Sequence, residues 1–165
     1  LQGRLCVDPA RVAAAGFSAG GGVAAAMACD LAGRVASVAV VSGALYAEPG
    51  ECRPSRPVPM LDIHGTDDPV VPYGGRAPTV EWPLPMPPVP TWLATWATRD
   101  GCPGEPAVFL DTPEATGVRW GGCRDGSEVV HFRMNGGDHQ APRTIAGRPF
   151  AQVVWDFFAA HPLAG

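Results

Sequence analysis

Gly16-Phe17-Ser18-Ala19-Gly20 constrains this chain more than any other stretch. The pattern Gly-x-Ser-x-Gly puts a serine on a sharp strand-to-helix turn, where small neighbours permit the turn and backbone strain exposes the hydroxyl. Its flanks fit that geometry. Arg11 to Phe17 reads as a short buried strand, and Ala19 to Asp30 carries Val23, Ala24, Met27 and Ala28 at helical spacing. Ser18 is therefore the candidate nucleophile. In a chain with 21 glycines the bland alternative is a tight glycine turn.

Downstream, the pattern alternates between strand and helix. Arg34 to Val41 is a continuous apolar run, as in a strand covered on both faces of a parallel sheet. Val58 to Ile63 reads as a further strand, opening into His64-Gly65-Thr66-Asp67-Asp68-Pro69. Acids, glycine and proline at the carboxyl end of a buried strand mark the place where open sheets carry functional groups. The segment Pro72 to Pro90 is too rich in proline for helix or central strand, and the prolines between Pro49 and Pro90 suggest a long irregular excursion. Thr91 is expected to cap a helix through Asp100 with Trp92, Leu93 and Trp96 on its apolar side. Glu128 to Met134 reads as a strand opening into Asn135-Gly136-Gly137-Asp138-His139. Arg148 to Ala160 reads as a helix packed through Phe150, Val153, Val154, Phe157 and Phe158.

At 165 residues the chain suffices for one domain with a real core, and residues 1–165 are read as one. A net charge of -4 and the lack of any Lys/Arg run argue against a nucleic-acid partner, and no run of about 18 apolar residues predicts a membrane span. No leader can be read at Leu1, and the strand feeding Ser18 comes within a few residues of it. Several strands are expected ahead of such a strand, so the reading is of an N-terminally truncated piece of a larger protein. Five cysteines without a Cys-x-x-Cys pair argue for disulfides in an exported protein, not for a metal. Cys102 with Cys123 and Cys29 with Cys52 are the expected pairs, leaving Cys6 over, and reduced, packed thiols are the alternative.

Three strand ends thus carry Ser18, the Asp67-Asp68 pair and His139, an order of serine, acid and histidine found in sheet hydrolases. Ser18 needs an imidazole to take its proton, and that imidazole needs a carboxylate to fix its tautomer. His139, on a loop after the last strand, is preferred as base over His64, which ends a strand and shapes its loop, and over His131 and His161. Asp68 is preferred as acid, with Asp67 capping the turn and Asp62 and Asp138 set aside. The Ala19 N–H is the expected first oxyanion donor, and a second normally comes from a loop after an earlier strand. Gly20-Gly21-Gly22 loosely imitates a dinucleotide-binding turn, but no acid follows a second strand where a ribose would need one.

Together, Cys6 to Val12, Gly16 to Gly21, Arg56 to Leu61, His64 to Gly75, Trp96 with Cys102, and Gly136-Gly137-Asp138-His139 resemble the secreted feruloyl esterase and polyhydroxybutyrate depolymerase group. The resemblance implies an α/β-hydrolase three-layer sandwich with a mostly parallel sheet, here lacking its N-terminal strands, and a triad of Ser18, Asp68 and His139 without metal or cofactor. It also implies an extracellular serine carboxylesterase acting on feruloyl esters of plant polysaccharide, with polyester chains as the alternative substrate. Of another class is a catalytically impaired fragment that only binds polysaccharide or polyester. Trp82 and Tyr73 are candidate substrate contacts, and Trp92 and Trp96 join Trp82 as a possible aromatic acyl site unless they pack in the core. The group has a small residue before its histidine and Trp-Pro after it, whereas this chain has Asp138 and Gln140-Ala141-Pro142.

Overall fold

A computed structural model describes residues 5–45 and 52–163. Pro49, where the proline-rich excursion was expected to begin, lies outside them. Strand β1 (Ala14–Phe17) leads directly into helix α1 (Ala19–Asp30), and β2 (Val38–Val41) and β3 (Met60–Gly65) follow. Helix α2 (Val89–Arg99) precedes an antiparallel hairpin of β4 (Ala107–Asp111) and β5 (Ala115–Trp120). Strand β6 (Val129–Met134) and helix α3 (Phe150–Ala160) complete the main layers, and the short β7 (Thr144–Ile145) and β8 (Arg148–Pro149) pair with each other.

The main sheet has the order β1-β2-β3-β6-β5-β4. Strands β1, β2, β3 and β6 run parallel, and β5 and β4 extend the sheet antiparallel. Alternation along the central strands creates three layers, because successive side chains point to opposite faces. Val38, Val40 and Met60 face α1 and α2, burying Ala28, Leu93 and Trp96. Ala39, Leu61, Ile63 and Val130 face α3, burying Val153 and Phe157.

Several expectations shift. Strand β1 is shorter than expected, following a 3-10 turn at Pro9–Arg11, and is half exposed instead of buried. Among the described residues it pairs with β2 alone. In α1 the covered face is Gly21, Ala24, Ala25 and Ala28, whereas Val23 is 60% exposed. Only small side chains let this helix lie close on the sheet: a Cβ on Gly21 would sit 2.7 Å from the Gly43 Cα. Helix α2 starts at Val89 with Pro88 at its N-cap, not at Thr91, since proline's fixed φ and missing N–H suit a first turn. Similarly, α3 starts at Phe150, after Pro149.

The connection expected between Cys102 and Cys123 is instead the β4–β5 hairpin. Strand β4 is an exposed edge, with Val108 63% exposed, so it shows no in-out alternation to read. Disulfides join Cys102 to Cys123 beneath this hairpin and Cys29 at the end of α1 to Cys52, while Cys6 is free and exposed. Arg56 ties the connection after α1 to the sheet: its guanidinium donates to the carbonyls of Ala32, Val35, Ala36 and Pro57.

Candidate active site

Ser18 occupies the turn between β1 and α1 with φ 54° and ψ -122°, a left-handed backbone that a side chain-bearing residue adopts only under constraint. The constraint is visible. The Ser18 N–H donates to the Val41 carbonyl at 2.9 Å, and its own carbonyl accepts from Gly21 and Ala44, each at 2.9 Å. A Cβ on Gly16 would fall 1.9 Å from the Gly20 carbonyl oxygen, so the turn closes only with glycine there. Ser18 makes no side-chain cap bond to the helix it precedes, which leaves its hydroxyl available. Ala19 is the first residue of α1, where an N–H has no partner within the helix.

The His139 imidazole bridges two groups. Its Nε2 is 2.9 Å from Ser18 Oγ, and its Nδ1 is 2.8 Å from Asp68 Oδ2. Since an ionised carboxylate only accepts, the proton on Nδ1 donates to Asp68, and Nε2 is left as an acceptor for the Ser18 hydroxyl. Phe17 lies beside this ring, with centroids 4.8 Å apart, and keeps one side of it apolar.

The Asp68 side chain is wholly covered, yet it has partners for both oxygens. Oδ1 accepts from the N–H groups of Val70 at 2.8 Å and Val71 at 2.7 Å, and Oδ2 accepts from His139. Burial pushes its pKa up, but hydrogen bonds from His139, Val71 and Val70 outweigh burial, so the group is held below the usual aspartate value. A carboxylate that stays ionised here is what stabilises an imidazolium.

The loops that carry Asp68 and His139 are stitched together. The Asp67 N–H donates to the Gly137 carbonyl at 2.9 Å, and the Gly136 N–H donates to Thr66 Oγ1 at 2.8 Å. Asp67 accepts from the Thr66 hydroxyl at 3.1 Å and takes no part in the Ser18 chain. Asp138 turns its carboxylate to the Gln140 amide, 2.9 Å away.

The other histidines point elsewhere. His64 is fully buried and lies 2.9 Å from the Val71 carbonyl through Nε2, which must therefore carry the proton. That same Nε2 lies 3.5 Å from Asp68 Oδ2. His161 donates from Nδ1 to the Phe157 carbonyl and approaches Glu128. His131 lies 2.8 Å from Asp62, which sequence reasoning set aside, and 2.9 Å from the Tyr73 hydroxyl. Tyr73, expected at the substrate, thus turns its hydroxyl inward. A signal for this cluster existed: Met60, Asp62 and His64 share one face of β3 by strand periodicity, so two polar groups had to be accommodated beneath the Asp68 loop.

Of the tryptophans, Trp92 and Trp96 are core residues of α2, 6% and 0% exposed, packed edge-to-face on each other. They do not form an acyl site. Trp82 is exposed on the excursion, with the Arg76 guanidinium 4.9 Å above its ring.

A mostly parallel sheet with helices on both faces and a serine on the turn after a parallel strand define the α/β-hydrolase class. The family model described as Phospholipase/Carboxylesterase matches residues 2–82. Feruloyl esterase B of Piromyces equi is 37% identical over 162 residues, 95% of this chain and 28% of that protein. Feruloyl esterase C of Emericella nidulans is 32% identical over 97% of this chain and 54% of its own length. The putative esterase NocK of Nocardia uniformis is 33% identical over 86% of this chain and 45% of its own. The chain is thus similar to feruloyl esterases over most of its length, and its fold is that of an α/β-hydrolase. It spans about half the length, or less, of these curated relatives.

Proposed function

We propose that this chain carries the catalytic centre of a serine carboxylesterase that hydrolyses feruloyl esters of plant cell-wall polysaccharide through an acyl-enzyme. The observation that carries the reading is the continuous chain from Ser18 Oγ through His139 to Asp68, at 2.9 and 2.8 Å. His139 Nε2 takes the Ser18 proton as Oγ attacks the ester carbonyl, Asp68 stabilises the imidazolium, and the proton passes to the departing alcohol. Water then attacks the acyl-enzyme, with His139 again as base. The Ala19 N–H donates to the oxyanion in both steps.

The feruloyl substrate rests on what the relatives are named for, and an extracellular setting is supported by the two disulfides. Exposed Trp82 is the aromatic surface this reading offers to the acyl group. The test is hydrolysis of methyl ferulate beside a short hydroxybutyrate ester. Turnover of the ferulate, lost by about 10⁴-fold or more in Ser18→Ala and His139→Ala, is expected. Hydrolysis unaffected by Ser18→Ala refutes the mechanism, and preference for the hydroxybutyrate ester refutes the substrate.

A further inference from the structure

The mechanism leaves unused a second cluster of titratable groups inside the fold. Asp62 of β3 and His131 of β6 are register partners on adjacent strands, 0% and 3% exposed, with Asp62 Oδ2 2.8 Å from His131 Nδ1. The approach is a close charge contact lying off the line of a good hydrogen bond, and among the described residues neither Asp62 oxygen has a hydrogen-bond donor. A carboxylate that near repels a nitrogen lone pair, so the His131 proton resides on Nδ1. Its Nε2 is then an acceptor, 2.9 Å from the Tyr73 hydroxyl, which donates to it. The order of carboxylate, imidazole and hydroxyl parallels Asp68, His139 and Ser18, with a charge contact in place of the first hydrogen bond and a tyrosine at the end.

Tyr73 closes the loop that carries Asp68. The two N–H groups that could tie the middle of this loop to the sheet, those of Val70 and Val71, are both spent on the Asp68 carboxylate. Beyond the Thr66 N–H bond to the Met134 carbonyl at its start, the loop reaches the sheet through two buried histidines. His64 donates to the Val71 carbonyl, and His131 accepts from Tyr73. The Tyr73 ring packs between them, its centroid 6.0 Å from that of His64 and 5.7 Å from that of His131. Burial and the Asp62 charge raise the Tyr73 pKa to about 12, which keeps its hydroxyl a donor.

Two apolar residues at positions 62 and 131 would pack in this core without a desolvated charge, so the polar pair is not needed for burial. What it supplies is a fixed tautomer and one fixed acceptor. We propose that Tyr73 is a positioning residue for Asp68, anchored by the Asp62–His131 pair so that the Asp68 carboxylate stays aligned with His139. This rests on reading Asp68 as the acid of the Ser18 relay, and it removes Tyr73 from the substrate contacts.

The test compares Tyr73→Phe, which keeps the ring and removes the hydroxyl, with Asp62→Asn, which removes the charge that fixes the His131 tautomer. Two readouts are taken on the full chain: kcat and KM for methyl ferulate, and the downfield proton NMR resonance of the His139 Nδ1–H bonded to Asp68. Both variants are expected to lower kcat about tenfold, the scale of a slightly misplaced catalytic group, with KM changed by less than about twofold. The resonance should broaden through faster exchange, and the double variant should be no worse than the poorer single one. An unchanged kcat and resonance in Tyr73→Phe overturns the proposal, as does a rise in KM alone, which marks a substrate contact. If the parent chain does not hydrolyse the ester, the esterase reading fails separately, and the resonance alone decides the role of Tyr73.

Discussion

Gly65 and Gly137 lie so close that a Cβ on Gly65 would sit 2.1 Å from the Gly137 carbonyl oxygen. Gly65 ends β3 and opens the loop that carries Asp68, while Gly137 lies on the loop that carries His139. Their backbones touch where the two halves of the proposed relay must meet, and the neighbouring Asp67-to-Gly137 hydrogen bond fixes that approach. Gly65→Ala forces the loops apart. Overpacking of this kind costs about 1–3 kcal/mol, and displacing a catalytic group by about 1 Å costs on the order of 100-fold in rate. Urea unfolding together with ester hydrolysis checks both. A Gly65→Ala chain with parental activity would mean that the loops are not held by this contact.

Asp100 provides a pH prediction. It is fully buried at the end of α2, where burial raises its pKa to about 6 despite the Ser127 hydroxyl donating at 2.6 Å and a longer bond from the Val58 N–H. Because this value lies above the unfolded 3.8, the folded chain holds the extra proton in the window between the two. Stability contributed by Asp100 is thus present at low pH and falls as pH rises from about 4 to 6, by at most about 3 kcal/mol. Asp100→Asn cannot lose a proton. The unfolding free energy of the parent should decline relative to Asp100→Asn as pH is raised through that window, whereas a pH-independent difference between the two contradicts the assignment.

The Cys102–Cys123 bridge closes the base of the exposed β4–β5 hairpin across a separation of 21 residues. Loop-closure entropy at that length predicts a loss of about 3 kcal/mol when both cysteines become serine. The loss should fall on the hairpin first. Hydrogen exchange of the β4 and β5 amides should accelerate more than that of β3, and uniform acceleration over both regions would show that the bridge acts on the fold as a whole.

Much of this arrangement was legible in the chain. Continuous apolar runs identify β2 and β3 because both faces are covered, and the small residues of the Ser18 turn announce a strand meeting a helix. The β4–β5 hairpin was not legible, since an exposed edge strand leaves no alternation and its flanking prolines resemble a loop. The start of α2 was placed late because the prolines of its first turn read as part of the irregular excursion, and that of α3 was placed early because Pro149 caps the helix instead of lying inside it. In the candidate site, residue types and order singled out Ser18, Asp68 and His139, which local motifs mark strongly. Asp62 and His131 were each set aside as mid-strand residues, and their pairing was not legible because only the β3–β6 register brings them together.

The central claim concerns the Ser18 hydroxyl, so the most direct measurement is covalent. The folded chain is treated with a fluorophosphonate, digested, and the peptide containing Ser18 is examined by mass spectrometry, with His139→Ala treated in parallel. The account predicts one phosphonyl adduct on Ser18, formed rapidly in the parent and slowly in His139→Ala. A folded chain whose Ser18 stays unmodified, or is modified equally fast without His139, would contradict it.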